Sequence, residues 1–253
     1  MEKKMMIPCP TMAVIDGDII AYKVAFRAEV DDPAFIPQMV EEYLESWLPD
    51  EAEDFRIALS CSRKDNYRRN IWPLYKMNRD TQDTPEYLKE IKDYIQDIYP
   101  IDYVDRLEAD DLLGIAASSG TGIAVTIDKD LRGVSGWHYN PDKEEKSVYI
   151  SPEEAELFFL VQWMTGDSTD NIPGLWRIGP KRARSLMKKW EGEDIYQNII
   201  DMYHEEKYIP KKTCDLEGDD LAFAMARCVK ILENGDYDSS TDKINLWVPK
   251  VGV

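Results

Sequence analysis

Carboxylates recur in short groups along this chain, each beside a stretch that reads as the end of a strand or helix. The groups are Asp16 and Asp18, then Glu108, Asp110 and Asp111, then Asp128 and Asp130, then Asp167 and Asp170. Asp128 and Asp130 are two apart, which on an extended segment places them on one side. Glu108 and Asp111 are three apart, as are Asp167 and Asp170, so each pair shares a face of a helical turn. Carboxylates gathered in one place repel and raise each other's pKa values. Divalent cations remove that cost, and two of them about 3.5–4 Å apart activate water and stabilise the leaving oxygen of a phosphodiester. With only His138 and His204 present, little room is left for zinc chemistry or a Ser-His-Asp triad. An all-carboxylate set suits hard cations such as Mg²⁺. Each group alone also fits a plainer role: Asp18 as a helix cap, Glu108 and Asp111 as a solvated first turn favoured by the helix dipole, Asp167 to Asn171 as a polar turn. Four such groups, all at element ends, favour a joint site.

A second constellation is basic. From Asn171 to Trp190 there is no acid, and Arg177, Lys181, Arg182, Arg184, Lys188 and Lys189 are six bases. Within it, Gly174 and Gly179 allow a tight backbone turn, and Pro180 suits the first position of a following helix. The free N–H groups of such a turn and helix start receive phosphate oxygens, with Lys181, Arg182 and Arg184 adding charge. This is the pattern of a helix-hairpin-helix element, which holds a nucleic-acid backbone without reading bases. The glycine spacing imitates a P-loop, but Pro180 intrudes before Lys181 and no Ser or Thr follows the lysine. The plainer alternative is a basic surface hairpin.

The elements that would position these groups can be read from periodicity. Met12–Asp18 is an apolar run ending in acids and predicts a buried strand. Arg56–Ser62 alternates and predicts a second, and Ile123–Ile127 a third. Pro85–Ile98 has helical spacing, and Glu108–Ala117 reads as a helix. Strands alternating with helices predict a largely parallel sheet, whose strand C-termini gather along one edge where sites form. After Tyr149 the pattern becomes helical. Ser151 as N-cap and Pro152 at N1 start a helix running to about Thr165. Further helices are predicted from Pro180 to about Trp190, near Asp194–His204 and over Gly218–Leu232, with Lys243–Val248 returning as a strand. The expected division is an α/β core over 1–150 and a helical lobe over 151–253.

Composition sets the outer bounds. The chain has 253 residues, 43% of them hydrophobic, enough for a sizeable core. It has no apolar run long enough to predict a membrane span, and MEKKMMIPCP does not read as a signal peptide. Cys9, Cys61, Cys214 and Cys228 show no C-x-x-C spacing, which points to a reducing cytosol. The net charge of −18 argues against nucleic acid when taken alone, but charge is unevenly distributed. Arg63 to Arg79 holds six bases and one acid, Asp65, and a local field can bind phosphate while the whole molecule stays anionic.

MAVIDGD, LEADDLLGIAA, TIDKDL and GDSTDNIPGLWRIGPKRA, in that order, resemble the 5′-nuclease superfamily of flap endonucleases, polymerase I 5′-nuclease domains and phage 5′-3′ exonucleases. The resemblance runs from about Ala13 to Ala183, and the tail is most similar to phage-type enzymes. It implies a PIN-like α/β core, a helical arch over the site, and a helical three-turn lobe that holds duplex DNA and returns to the core at its C-terminus. It implies metal-ligand roles, some through water, for Asp16, Glu108, Asp110, Asp111, Asp128, Asp130, Asp167 and Asp170. Lys76 and Arg79, in LYKMNRD, match the basic residues that meet the scissile phosphate. The implied cofactors are two Mg²⁺ ions, with Mn²⁺ as substitute. The implied partners are duplex or flapped DNA and RNA–DNA hybrids, met by a monomer in a bacterial or phage-infected cytosol. One departure stands out. The family's aspartate at the end of the second strand is missing from Ser60-Cys61-Ser62-Arg63-Lys64-Asp65, leaving Asp65 or Asp18 to take its place. The competing functions are a PIN-type ribonuclease, which needs no duplex anchor, and a catalytically silent DNA-binding protein. Val14-Ile15-Asp16-Gly17-Asp18 also imitates the start of a haloacid-dehalogenase phosphatase, which leaves the basic hairpin unexplained.

Overall fold

The computed structural model describes residues 7–211 and 214–249. The first six residues, on which the reading of the N-terminus partly rests, lie outside them.

The strand β1 (Met12–Asp16) is almost wholly buried. Its side chains alternate between two cores: Ala13 and Ile15 face one, Val14 the other. The strand ends at Asp16 rather than Asp18, because Asp16 caps α1 (Gly17–Ala28), its Oδ1 accepting the Ile19 N–H at 3.1 Å. A Cβ on Gly17 would lie 2.4 Å from Ile57 and 2.9 Å from the Ala58 carbonyl, so only glycine lets the helix leave the sheet there. A helix not anticipated from the sequence, α2 (Ile36–Trp47), follows. Then come β2 (Asp54–Ala58), the one-turn α3 (Arg68–Ile71), α4 (Leu88–Ile98), β3 (Ile101–Asp102), α5 (Ala109–Ser119) and β4 (Ile123–Val125). The antiparallel pair β5 (Gly136–Tyr139) and β6 (Val148–Ile150) completes a sheet of order β3-β2-β1-β4-β5-β6, parallel except for β6. β1 pairs with β2 on one side and β4 on the other, Asp16 opposite Ala58 and Ile15 opposite Val125. The C-terminal ends of these three strands therefore share one edge, at the point where the strand order reverses.

Between β2 and α4, around Lys76 and Arg79, the chain carries α3, a 3-10 turn over Met77–Arg79 and mostly turns. α4 is not a free-standing arch helix: Leu88, Ile91 and Ile95 are buried with α1 and α2 in one core.

The helical half begins with α6 (Pro152–Thr165), where Ser151 and Glu154 form a reciprocal capping box. It continues through α7 (Pro180–Lys189), α8 (Ile195–His204) and α9 (Gly218–Val229). Their shared core centres on Trp163, fully buried, with its indole N–H donating to Ala222 O at 2.8 Å. Removing such a side chain costs about 3–5 kcal/mol. Trp72 and Tyr75, from the N-terminal side of residue 150, are packed into this same core. Among the described residues the C-terminal segment adds no strand to the main sheet, but Tyr237 and Ile244 pack with Tyr67 and Leu107 of the α/β core. β7 (Tyr237–Asp238) and β8 (Lys243–Ile244) make a small hairpin of their own. Trp247 then packs edge-on against Phe159 and Trp163, each at 5.2 Å, so aromatic packing on the lobe holds this end. Among the described residues no helix is long and apolar enough to cross a membrane, and the four cysteines are unpaired.

Candidate active site

A cavity of about 1350 Å³ opens at the C-terminal edge of the sheet. Asp16, Asp18, Glu108, Asp110, Asp128, Asp130, Asp167 and Asp170 line it, together with Lys76 and Arg79. Asp111 and Asp65 are not among the lining residues.

Asp16 is 2% exposed, and its Oδ2 accepts the Thr126 hydroxyl at 2.8 Å. Burial, then the charge of Asp18, pushes its carboxyl up to about 7. Thr126 also receives the Asp128 N–H, at 3.1 Å, so one hydroxyl sets both Asp16, at the end of β1, and Asp128, beyond the end of β4. Asp128 and Asp130 do not lie on an extended strand. β4 ends at Val125, and Asp128 caps a 3-10 turn over Lys129–Gly133 by accepting the Asp130 N–H at 2.8 Å. Burial, with Asp128 and Asp167 nearby, raises Asp130 to about 6 despite Lys129. Burial, then Asp16 and Asp128, holds Asp110 well above the ordinary carboxylate range.

Asp167 and Asp170 do not share a helical face. α6 stops at Thr165, Gly166 takes a positive φ of 66°, and Asp167 bridges to Ile172 across a tight turn. Asp167 accepts the Thr169 N–H at 2.7 Å. Asp170 receives the Arg79 guanidinium at 2.5 Å and lies 3.6 Å from the Lys76 ammonium. Lys76 itself has φ 52°, a left-handed conformation, with its N–H donating to Asp170 O at 2.9 Å. Its ammonium donates to Glu108 Oε1 at 2.5 Å, and the Tyr75 hydroxyl donates to Glu108 Oε2 at 2.7 Å. Burial pushes the Glu108 carboxyl up, but Lys76 and Arg68 outweigh it and hold it at about 2.

Asp111 requires a correction. It is fully buried behind the cavity, and both its oxygens accept from Arg68, at 2.8 and 2.7 Å. Its lone pairs are spent on this pair and on backbone N–H groups, so it is no candidate ligand. Of Asp65 and Asp18, only Asp18 lines the cavity. Its Oδ1 faces Ser60 N at 3.5 Å, at the end of β2, and receives Lys92 at 2.6 Å. Ser60 has become a support, its hydroxyl accepting the Ala109 N–H at 2.9 Å at the start of α5. Arg68, Tyr75, Ser60, Lys92 and Thr126 were not singled out for the site from the sequence. Only their neighbours in the fold give them a role there, although Tyr75 adjoins Lys76.

The basic hairpin lies outside the cavity. Gly174 is buried, φ 57°, and a Cβ there would meet Gly166 N at 2.3 Å and Thr165 O at 2.5 Å. It therefore shapes the turn from behind and offers no surface. Gly179 is exposed and opens α7, with Pro180 next, and Lys181, Arg182 and Arg184 are exposed. The α7 N-terminus presents free N–H groups with no acid in its first turn.

Among the described residues, no three Asp, Glu, His or Cys side chains stand close enough together to hold an ion as they are. Glu108 and Asp170 are drawn to Lys76 and Arg79 instead, so rotamer changes would have to gather the set. In chemistry the donors fit a hard divalent cation: all are carboxylate oxygens, and Asp16, Asp110 and Asp130 carry raised pKa values that a cation would relieve.

No protein-family model matches the chain. It is 26% identical over 220 residues to DNA polymerase I of Bacillus subtilis, covering 75% of this chain and 24% of that protein. A 5′-3′ exonuclease of Buchnera aphidicola subsp. Baizongia pistaciae is 28% identical over 223 residues, covering 76% of this chain and 70% of the relative. The chain thus spans about a quarter of the polymerase it matches. The crystal structure of the T5 D15 protein, co-crystallised with metal ions, superposes with a TM-score of 0.63 at 18% identity, covering 87% of this chain and 89% of that one. That likeness is one of fold.

Proposed function

We propose that this chain is a 5′-nuclease of the superfamily its motifs resemble, similar in sequence to the Buchnera aphidicola 5′-3′ exonuclease and in fold to the T5 D15 protein, and that it hydrolyses phosphodiester bonds from the 5′ end of duplex or flapped DNA. One observation carries the reading: carboxylates from four separate chain segments and the cations Lys76 and Arg79 share one cavity, while an exposed basic helix start lies outside it.

Asp16, Asp18, Glu108, Asp110, Asp128, Asp130, Asp167 and Asp170 would hold two Mg²⁺ ions, or Mn²⁺ in their place. Bound there, such ions neutralise phosphate charge and make water a better nucleophile at neutral pH. The chain's own groups do the rest. Lys76 and Arg79 leave their carboxylate partners for the scissile phosphate and stabilise its added charge. Thr126 orients Asp16, and Tyr75 orients Glu108. The α7 N-terminus with Lys181, Arg182 and Arg184 grips the duplex backbone away from the chemistry. RNA paired to DNA presents the same phosphates and is a second substrate. The protein acts as a monomer in the cytosol.

The test digests an end-labelled duplex, a 5′-flap and an RNA–DNA hybrid side by side, with Mg²⁺, Mn²⁺, Ca²⁺ or EDTA. Cleavage is expected with Mg²⁺ and Mn²⁺ but not with Ca²⁺, whose looser geometry activates water poorly, nor with EDTA. DNA binding without cleavage in every metal would replace this reading with a catalytically silent binding protein.

A further inference from the structure

Arg68 sits on the one-turn helix α3, and its side chain is 2% exposed. All its bonding capacity is used. Nε donates to Cys228 O at 3.1 Å, Nη1 to Asp111 Oδ2 at 2.8 Å and Glu108 Oε2 at 3.4 Å, and Nη2 to Asp111 Oδ1 at 2.7 Å and Lys230 O at 2.9 Å. The guanidinium also lies against the rings of Tyr67 and Tyr75, at 4.7 and 5.9 Å. Asp111 is as fully engaged, accepting the N–H of Glu108 at 3.1 Å and of Leu232 at 3.2 Å.

The pair therefore ties together α3, the start of α5, the end of α9 and the segment after it. The carbonyls it receives, Cys228 and Lys230, lie at the α9 C-terminus, where carbonyls lack partners within the helix. The pair bonds both the carboxylate and the backbone N–H of Glu108, the N-cap of α5, and Glu108 and Asp110 are the acids that this end of α5 brings to the cavity. A buried ion pair of this kind contributes little net stability, because desolvation offsets its attraction, and a packed apolar pair often replaces it without loss. Its directional hydrogen bonds are what an apolar pair could not supply.

We propose that Arg68 and Asp111 are a positioning pair that presents Glu108 and Asp110 for divalent-cation binding and fixes the lobe's last helix against that site. The proposal rests on the metal-dependent reading above. Neither residue touches substrate. They act through the carboxylates they orient, as outer-shell partners do at metal sites, where their loss costs about 10–100-fold in metal affinity.

The experiment compares the full chain with the double variant Arg68→Met/Asp111→Leu and the single variant Arg68→Lys. Mn²⁺ binding is measured by calorimetry without DNA, alongside melting temperature and duplex affinity in EDTA. The double variant leaves the Cys228 and Lys230 carbonyls and the Glu108 and Leu232 N–H groups without their partners, so it is expected to melt below the unsubstituted chain yet to fold and keep duplex affinity, while binding Mn²⁺ about 10–100-fold more weakly. Arg68→Lys keeps the charge but loses the two-pronged fork, and is expected to weaken Mn²⁺ binding about tenfold. In both, kcat lost at low Mn²⁺ should return in part as Mn²⁺ is raised. Folded variants that bind Mn²⁺ within about twofold of the unsubstituted chain overturn the proposal, against the larger loss expected of outer-shell partners. Failure of both variants to fold overturns it too, by making the pair a fold determinant. An unsubstituted chain that bound no Mn²⁺ would instead remove the functional reading itself, and the pair's role with it.

Discussion

The ammonium of Lys76 lies 2.5 Å from Oε1 of Glu108 and 3.6 Å from Asp170, on a residue held in the left-handed conformation by its own N–H bond to Asp170 O. Lys76 lines the carboxylate cavity, and in the proposed reaction it would exchange a carboxylate for the scissile phosphate. A contact made mainly in the transition state lowers kcat, whereas a uniform binding contact raises KM. Lys76→Ala is therefore expected to lower kcat by about 10²–10³-fold with little change in KM. Steady-state kinetics on a 5′-flap check it, and an effect confined to KM would misplace the phosphate.

Arg182 should fail differently. It is exposed in the first turn of α7, its guanidinium donating to the Tyr208 hydroxyl at 3.2 Å, outside the cavity. Arg182→Ala is expected to weaken duplex binding with kcat nearly kept at saturating DNA. Loss of one phosphate contact should flatten the slope of log K against log salt by about 1. Binding titrations at several salt concentrations test this, and an unchanged slope would remove Arg182 from the interface.

Asp128→Asn with Asp130→Asn should abolish cleavage and leave duplex binding largely intact. Asparagine can still cap the 3-10 turn that Asp128 caps, so the loop should persist while two ligand charges are lost. Circular dichroism and a gel shift run beside the cleavage assay. Full activity in this variant would refute the two-ion assignment.

Gly174→Ala should destabilise the lobe. The residue has φ 57°, and the added methyl would meet the Thr165 carbonyl at 2.5 Å and Gly166 N at 2.3 Å. Backbone strain of about 1–3 kcal/mol adds to the clash. Thermal unfolding should report a lowered Tm, and duplex binding should weaken because the same turn sets the entry to α7. An unchanged Tm would mean that the turn relaxes freely.

His138 should make stability acid-sensitive. It is buried in β5, facing Val134 O at 3.0 Å through Nε2, and burial lowers its pKa to about 4. A histidine depressed in the folded state favours the neutral form, so its contribution is complete above the unfolded value and is lost as pH falls toward the folded one. From an unfolded value of about 6.5, the loss should reach roughly 2 kcal/mol by pH 5. Asp16 and Asp130, raised by burial, act in the opposite sense over part of that window. The comparison is therefore between the unsubstituted chain and His138→Gln, unfolded in denaturant from pH 7.5 to 5 in one buffer series. Parallel curves would show that His138 carries no proton linkage.

Much of this molecule could be read from neighbouring residues in the chain. Ser151-Pro152 and Gly179-Pro180 start α6 and α7 where expected, because capping and proline geometry are local. Asp16 and Asp128 fall at element ends for the same reason, each capping the helical turn that follows it, and parallel strand order brings those ends to one edge. The two-residue β3 is too short to leave a periodic signal, whereas α2 does carry one, with Ile36, Met39, Val40, Leu44 and Trp47 on its buried face. Roles that depend on direction in space were not legible. Asp110 and Asp111 are adjacent, but successive side chains on a helix diverge by about 100°, so only one faces the cavity and the other turns inward to Arg68. Whether Asp18 or Asp65 stood near the end of β2 depended on how the chain leaves that strand, and it is α1, packed across it, that brings Asp18 to Ser60. A single buried arginine 40 residues from Glu108 and 160 from Cys228 leaves no trace in spacing. Its partners exist only once the lobe has docked on the core, because the bonds that define it join segments that no local pattern connects.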